Sequence, residues 1–257
     1  MKPRLSVAIM TLNEETNLPL CLDSVTFADE VVVVDAGSTD RTCELAASRG
    51  ASVVQRPMAG FAEQKQFAVD QTDGDWILSL DADEWVSDEL RESILGLLDS
   101  DAEGPYRGYR IFRRNIFLGR AIRHCNWYVP ILRLFRRRHG RYNGKAVHES
   151  IVLDSPPGLL FGDLMHVPYR GPSHHLAKMA QYSSLDAGEL AQRGRGMSGL
   201  ALPANLMGRP IWKFVQKYFI QQGFREGVQG LILATMAAIG VFVLHAELWW
   251  NQQPPAA

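Results

Sequence analysis

Gly74-Asp75-Trp76-Ile77-Leu78-Ser79-Leu80-Asp81-Ala82-Asp83-Glu84 is the stretch from which the rest of the chain is read. Trp76–Leu80 is a short apolar run of strand type that ends directly in three carboxylates within four residues. Three earlier runs, Leu5–Met10, Glu30–Val34 and Ser52–Val54, have the same character. Glu15–Val25, Thr42–Arg49 and Phe61–Gln71 lie between them with helix-compatible spacing. Ser38 or Thr39 is placed to cap the second helix, and Gly50 stands where a helix-ending glycine belongs. Strand, helix and strand at this spacing predict βαβ units, an α/β fold and a mostly parallel sheet flanked by helices. Ligands of such sheets bind at the carboxyl ends of the strands, so the loops opening at Thr11, Asp35 and Asp81 become the candidate site.

Asp81, Asp83 and Glu84 repel one another, and a hard divalent cation such as Mg²⁺ or Mn²⁺ would relieve that repulsion. The same string also reads as an acidic loop before a helix that Ser87 caps over Asp88–Leu98. Val34-Asp35-Ala36-Gly37-Ser38-Thr39-Asp40 offers a tight turn at Gly37 and an acceptor at Asp35, or simply a turn followed by a helix cap. A redox dinucleotide site is disfavoured because no G-x-G-x-x-G follows the first strand, and a P-loop because G-x-x-x-x-G-K-[ST] is absent.

The 257 residues suit one large α/β domain with a modest appendage. The net charge of −1 conceals a division. Arg107 to Lys145 holds twelve Arg or Lys and no acid, leaving 15 basic against 28 acidic residues elsewhere. A basic block in an acidic remainder points to an anionic partner. Cys21, Cys43 and Cys125 are odd in number and widely spaced, which fits a reducing compartment and argues against a disulfide framework or a zinc cluster. The apolar start Leu5–Met10 is too short for a signal peptide, so export by that route is not expected.

The ordered motifs S-V-A-I-M-T-L-N-E-E, V-V-V-V-D-A-G-S-T-D-R-T and G-D-W-I-L-S-L-D-A-D-E resemble those of family 2 glycosyltransferases of the GT-A fold, over about residues 4 to 100. The later H-E-S-I, H-V-P-Y-R and W-K-F-V-Q-K-Y-F-I-Q-Q-G-F-R-E-G-V-Q-G-L extend the resemblance toward the bacterial lipopolysaccharide-core β-1,4-glucosyltransferase branch. The resemblance implies a nucleotide-sugar donor, UDP-linked glucose first among them, a divalent metal, and inversion at the anomeric carbon. It implies that Thr11, Leu12, Asn13 and Glu14 line the nucleotide pocket, that Asp35 contacts the uridine, and that Lys65 meets the nucleotide. Asp81 would reach the ribose or the metal, Asp83 would be the principal metal ligand, and His166 is a candidate third ligand or a packed histidine. Glu149, of the pair His148-Glu149, is the candidate base, the alternative being an ion pair with an arginine. Ala36 departs from the pattern, since many relatives carry a second acid there.

Within the basic block, strand signals at Tyr109–Phe112 and Ile131–Phe135 flank Trp127 and Tyr128, and Arg136, Arg137 and Arg138 suit the phosphate of a phosphorylated saccharide acceptor. Nucleic acid is disfavoured by a pI near 6.7. After Pro156-Pro157-Gly158 an apolar stretch ends at His166. His174–Gln192 reads as a helix, with His174 and His175 as surface or first-turn residues, and glycines 194, 196 and 199 read as a connector. The catalytic domain is expected over 1–200, with a nucleotide-sugar half to 100 and an acceptor half beyond it. An apolar helical extension is expected over 201–257, helical from Arg209 to Trp250. Leu231–Leu244 is short for a bilayer span, but Lys213, Lys217 and Arg225 before it and Trp249-Trp250 after it suit an interfacial helix at the cytoplasmic face of the membrane. A polyprenyl-phosphate sugar synthase and a non-catalytic saccharide- or membrane-binding protein are the rival readings.

Overall fold

The computed structural model describes residues 2–100, 104–144, 149–193 and 201–253. Lys145, His148 and the glycines 194, 196 and 199 lie outside them. The chain divides into two compact units, one of residues up to Arg114 with Val129–Val167, the other of Asn115–Tyr128 with Pro168 onward.

In the first unit, strands β1 (Leu5–Thr11), β2 (Glu30–Asp35), β3 (Ser52–Gln55) and β4 (Trp76–Asp81) alternate with helices α1 (Leu18–Asp23), α2 (Thr42–Ser48) and α3 (Phe61–Asp70). The four strands pair in parallel in the order β3-β2-β1-β4. Their Val, Ile and Leu side chains are nearly all buried because helices cover the sheet. Gly50 takes φ +80° just past α2, as a helix-ending glycine should. Neither Ser38 nor Thr39 caps α2; Asp40 accepts the Thr42 N–H instead (3.0 Å).

Beyond β4 come β5 (Glu84–Val86), α4 (Asp88–Ser100), β6 (Gly108–Phe117), β7 (Arg120–Ala121), β8 (Val129–Arg136), β9 (Gly140–Tyr142), β10 (Ile151–Leu153) and β11 (Gly158–His166). The sheet continues from β4 through β8, β6 and β11 to β5, and the registers β4–β8, β6–β8 and β11–β5 are antiparallel. Ser87 Oγ accepts the Leu90 N–H at the start of α4, as its sequence suggests. Gly162, at φ +94°, lets β11 pass against the α4 backbone, where a Cβ would overlap Leu90.

The second unit holds α5 (Pro172–Gln192), α6 (Ala201–Pro203), α7 (Arg209–Val215) and α8 (Gly227–Trp250). The sequence placed the domain boundary at 200, whereas the compact units divide at Val167 because α5 packs along α8. Nor does one helix run from Arg209 to Trp250. Gln222 (φ +57°) and Gly227 (φ +61°) interrupt it, with a 3₁₀ turn at Gly223–Glu226 between them. The turn is fixed by Glu226, whose buried carboxylate accepts the N–H groups of Arg123 and His124 (both 2.9 Å). His175 is not a surface residue: its ring stacks on Tyr169 with centroids 3.8 Å apart.

Candidate active site at the carboxyl edge of the sheet

Parallel registry brings the three polar loops to one edge, with Thr11 opposite Asp35 and Met10 opposite Asp81. Two of the loops are laced together. Asn13, at φ +55°, donates its N–H to Ser38 Oγ (2.8 Å) and accepts the Thr39 N–H on Oδ1 (2.9 Å). Glu14 donates its N–H to Thr42 Oγ1 (2.9 Å). Asp35 is fully buried and accepts the N–H groups of Gly37 and Ser38 on Oδ2 (2.9 and 2.8 Å), with the Ser38 hydroxyl on Oδ1. Its bonds are those of a turn organiser. Leu12 is exposed at the same edge, whereas Thr11 Oγ1 is buried there without a hydrogen-bond partner among the described residues.

The third loop holds a network of buried charges. Lys65 Nζ, on the buried face of α3, lies 2.7 Å from Asp81 Oδ1 and donates to Glu149 Oε1 at 2.8 Å. Arg133 Nη2, on β8, donates to Asp81 Oδ2 and Glu84 Oε1, both at 2.7 Å. Arg113 Nη1 approaches the same Glu84 oxygen (3.4 Å), and the Asp81 N–H donates to Glu84 Oε2 (3.0 Å). Burial acts to raise the Asp81 pKa, but Lys65 and Arg133 outweigh it and hold the carboxyl well below the usual carboxylate range. Burial likewise opposes the Lys65 ammonium, and the Asp81 charge overcomes it and raises the pKa.

The acidic string is therefore neutralised differently from the sequence expectation. Lys65 and Arg133 pair with Asp81, and Arg133 also with Glu84. Asp83 stands apart, with Oδ1 3.5 Å from His166 Nε2 where β11 meets the loop. The Val167 N–H donates to the Asp83 carbonyl (3.1 Å) and fixes that juxtaposition. A carboxylate oxygen and an imidazole nitrogen at this separation, both largely buried, fit two positions around one divalent ion. No cluster of three or more His, Cys, Asp or Glu side chains arranged to hold a metal occurs among the described residues.

Arg136, Arg137 and Arg138 do not join this constellation. Arg136 pairs with Trp76 at the opposite end of β4, about 16 Å along the strand from Asp81. There the Arg136 guanidinium lies over the Trp76 ring (4.8 Å), and Arg137 donates to the Thr72 carbonyl (2.9 Å). Sequence reasoning missed Arg133. Its signal was a lone cation between Leu132 and Leu134 in an apolar strand, a position that requires a buried acid as partner.

The model of Glycosyl transferase family 2 matches residues 6–149 of this chain. The chain belongs to that family. Its sheet is accordingly the GT-A α/β arrangement, followed by an apolar C-terminal helix. The lipopolysaccharide core biosynthesis glycosyltransferase LpsC of Rhizobium meliloti is 33% identical over 259 residues, 95% of this chain and 92% of that protein. An uncharacterized glycosyltransferase of Rickettsia typhi is 29% identical over 258 residues, 95% of this chain and 86% of its own. Among solved structures, glucosyl-3-phosphoglycerate synthase from Mycobacterium tuberculosis, crystallised with Mn²⁺, UDP and phosphoglyceric acid, is 25% identical with a TM-score of 0.36. That match covers 46% of this chain and 44% of the synthase. The family makes the protein a glycosyl-transferring enzyme, with the carboxyl edge as its candidate centre.

Proposed function

We propose that this family 2 glycosyltransferase moves a hexose, glucose first among them, from a UDP-sugar to a lipopolysaccharide-core or lipid-linked saccharide, with inversion. One observation carries the reading. Asp81, Lys65 and Glu149, from three separate segments, form one ion-paired chain at the strand ends beside the Asp83–His166 pair. Similarity to LpsC over nearly the whole chain supports the class of acceptor. Thr11, Leu12, Asn13 and Glu14 border the nucleotide, with the unused Thr11 hydroxyl as a donor, while Asp35 acts by holding the turn. Asp83 and His166 would hold a divalent ion, which would neutralise diphosphate charge. Glu149 takes the proton of the acceptor hydroxyl as that oxygen forms its bond to the anomeric carbon. The bond from that carbon to the diphosphate oxygen breaks, and its electron pair leaves with the nucleoside diphosphate.

The second unit supports docking on the cytoplasmic face of a membrane. Arg209 to Arg225 contains four cations and no acid, and Ile211, Trp212, Phe219, Ile220 and Phe224 of that segment are exposed. α8 turns Gly230, Leu233, Ala234, His245 and Leu248 inward, leaving Val228, Leu231, Phe242 and Trp250 exposed. Gly223–Trp250, which contains an 18-residue window of mean hydropathy 2.1, is by length and composition long and apolar enough to cross a membrane. This is longer than the run recognised from sequence. Packing of the polar helix α5 along α8 favours an interfacial position, because a span would carry Lys178, Asp186 and Glu189 toward hydrocarbon.

A donor screen with the purified protein tests the chemistry by release of nucleoside diphosphate. UDP-glucose turnover that needs Mn²⁺ or Mg²⁺ and falls by about 100-fold or more in Asp83→Ala is the expected result. Full turnover in EDTA overturns the metal assignment. Sedimentation with phosphatidylglycerol vesicles tests the membrane: Trp212→Ser with Phe219→Ser should weaken binding while UDP-glucose hydrolysis persists. Equal binding by both proteins removes that surface from the proposal.

A further inference from the structure

Lys65 is 6% exposed, and its ammonium is engaged by two carboxylates, so it reaches a nucleotide only by breaking both pairs. A lysine on the buried face of a helix, beside Gln64, Ala68 and Val69, is tolerated only where acids meet it. Asp81 is already held on its other oxygen by Arg133. Glu149 has no such second anchor: among the described residues its carboxylate has Lys65 as its partner. Removing Lys65 therefore leaves Asp81 in place and releases Glu149.

We infer that Lys65 is a positioning residue of the transfer step, fixing the Glu149 carboxylate against the strand end instead of contacting the donor. The inference rests on Glu149 being the base, and it replaces the nucleotide contact expected from sequence. Lys65 links the acid that ends β4 to a carboxylate 84 residues from its own position. The base is thus aimed by the sheet through α3. An orientation set this way affects the attack on the anomeric carbon and leaves the affinity for the nucleotide nearly unchanged.

Hydrolysis of UDP-glucose and binding of UDP by the full-length protein separate the roles. Lys65→Met and Glu149→Gln should each lower kcat about 100-fold. The double variant should be no slower than the slower single one, and UDP affinity should stay within about threefold of the parent. Lys65→Arg, which keeps the charge, should recover most of the rate. Losses that add in the double variant overturn the inference, as does a UDP affinity about tenfold weaker in Lys65→Met with kcat preserved. Full turnover by Glu149→Gln removes the base assignment itself, a result distinct from additive losses. Melting temperatures of all four variants report folding, and Lys65→Arg carries the test if Lys65→Met does not fold.

Discussion

The two compact units differ in how they bury titratable groups. In the first, Lys65, Arg133, Asp81 and Glu84 keep their charges, because each cation meets two carboxylates within 2.8 Å. In the second, His175 sits between Tyr169 and Phe117, its Nδ1 without a hydrogen-bond partner among the described residues, and burial, together with the neighbouring His174, pushes its pKa down to about 4. The first unit holds a network of paired charges, while the second leaves His175 neutral, keeps the Glu226 carboxylate at a turn and presents apolar side chains outside. Under the proposed function, fixed charges beside a reacting diphosphate require such a framework, whereas the proposed membrane-docking surface requires only shape and apolar area.

Breaking the paired network should have the largest effect. Arg133→Met leaves Glu84 and one oxygen of Asp81 buried without their main cation, which costs about 3–5 kcal/mol. Urea denaturation should detect that loss, and adding Glu84→Gln should restore part of it. A loss below about 1 kcal/mol would mean that solvent, and not Arg133, balances these acids.

The neutral burial in the second unit has a signature in pH. The folded state withholds a proton from His175 down to about pH 4, whereas an unfolded chain takes it up near 6.5. The unfolded state therefore binds more protons in this window. The contribution of His175 is full above pH 6.5 and is lost as pH falls toward 4. His175→Phe should flatten the melting temperature of the second unit across that window while leaving it nearly unchanged at pH 8. An unaltered slope would assign the acid sensitivity to other groups.

Much of this was legible from sequence because it depends on local pattern. The strands β1 to β4, the glycine after α2 and the cap at Ser87 follow from periodicity and turn chemistry, and parallel pairing alone collects Thr11, Asp35 and Asp81 at one edge. The partner of each charge was not legible. Arg133 and Arg136 are three residues apart on one strand, in the same run of cations, yet one is buried against acids and the other stacks on an indole. Only the antiparallel register of β8 against β4, fixed by the intervening chain, determines which end each reaches. For the same reason the pairing of Lys65 with Glu149 was not legible, since tertiary packing brings the two together.

The smallest expected effect comes from Arg136, Arg137 and Arg138, and it sharpens the contrast along β8. Arg137 and Arg138 are exposed, and Asp73 and Asp75 line the same 320 Å³ cavity, so these cations already have acids close by. Replacing all three with Ala removes one stacking contact on Trp76 and one bond to the Thr72 carbonyl, a loss of about 1–2 kcal/mol. UDP-glucose hydrolysis should stay within about twofold of the parent, because the reacting edge lies at the other end of the strand. The KM for a soluble core oligosaccharide should likewise hold. A KM that rises severalfold and loses its salt dependence would mean that the acceptor's phosphate reaches this far edge, and the acceptor site would then extend along the length of the sheet.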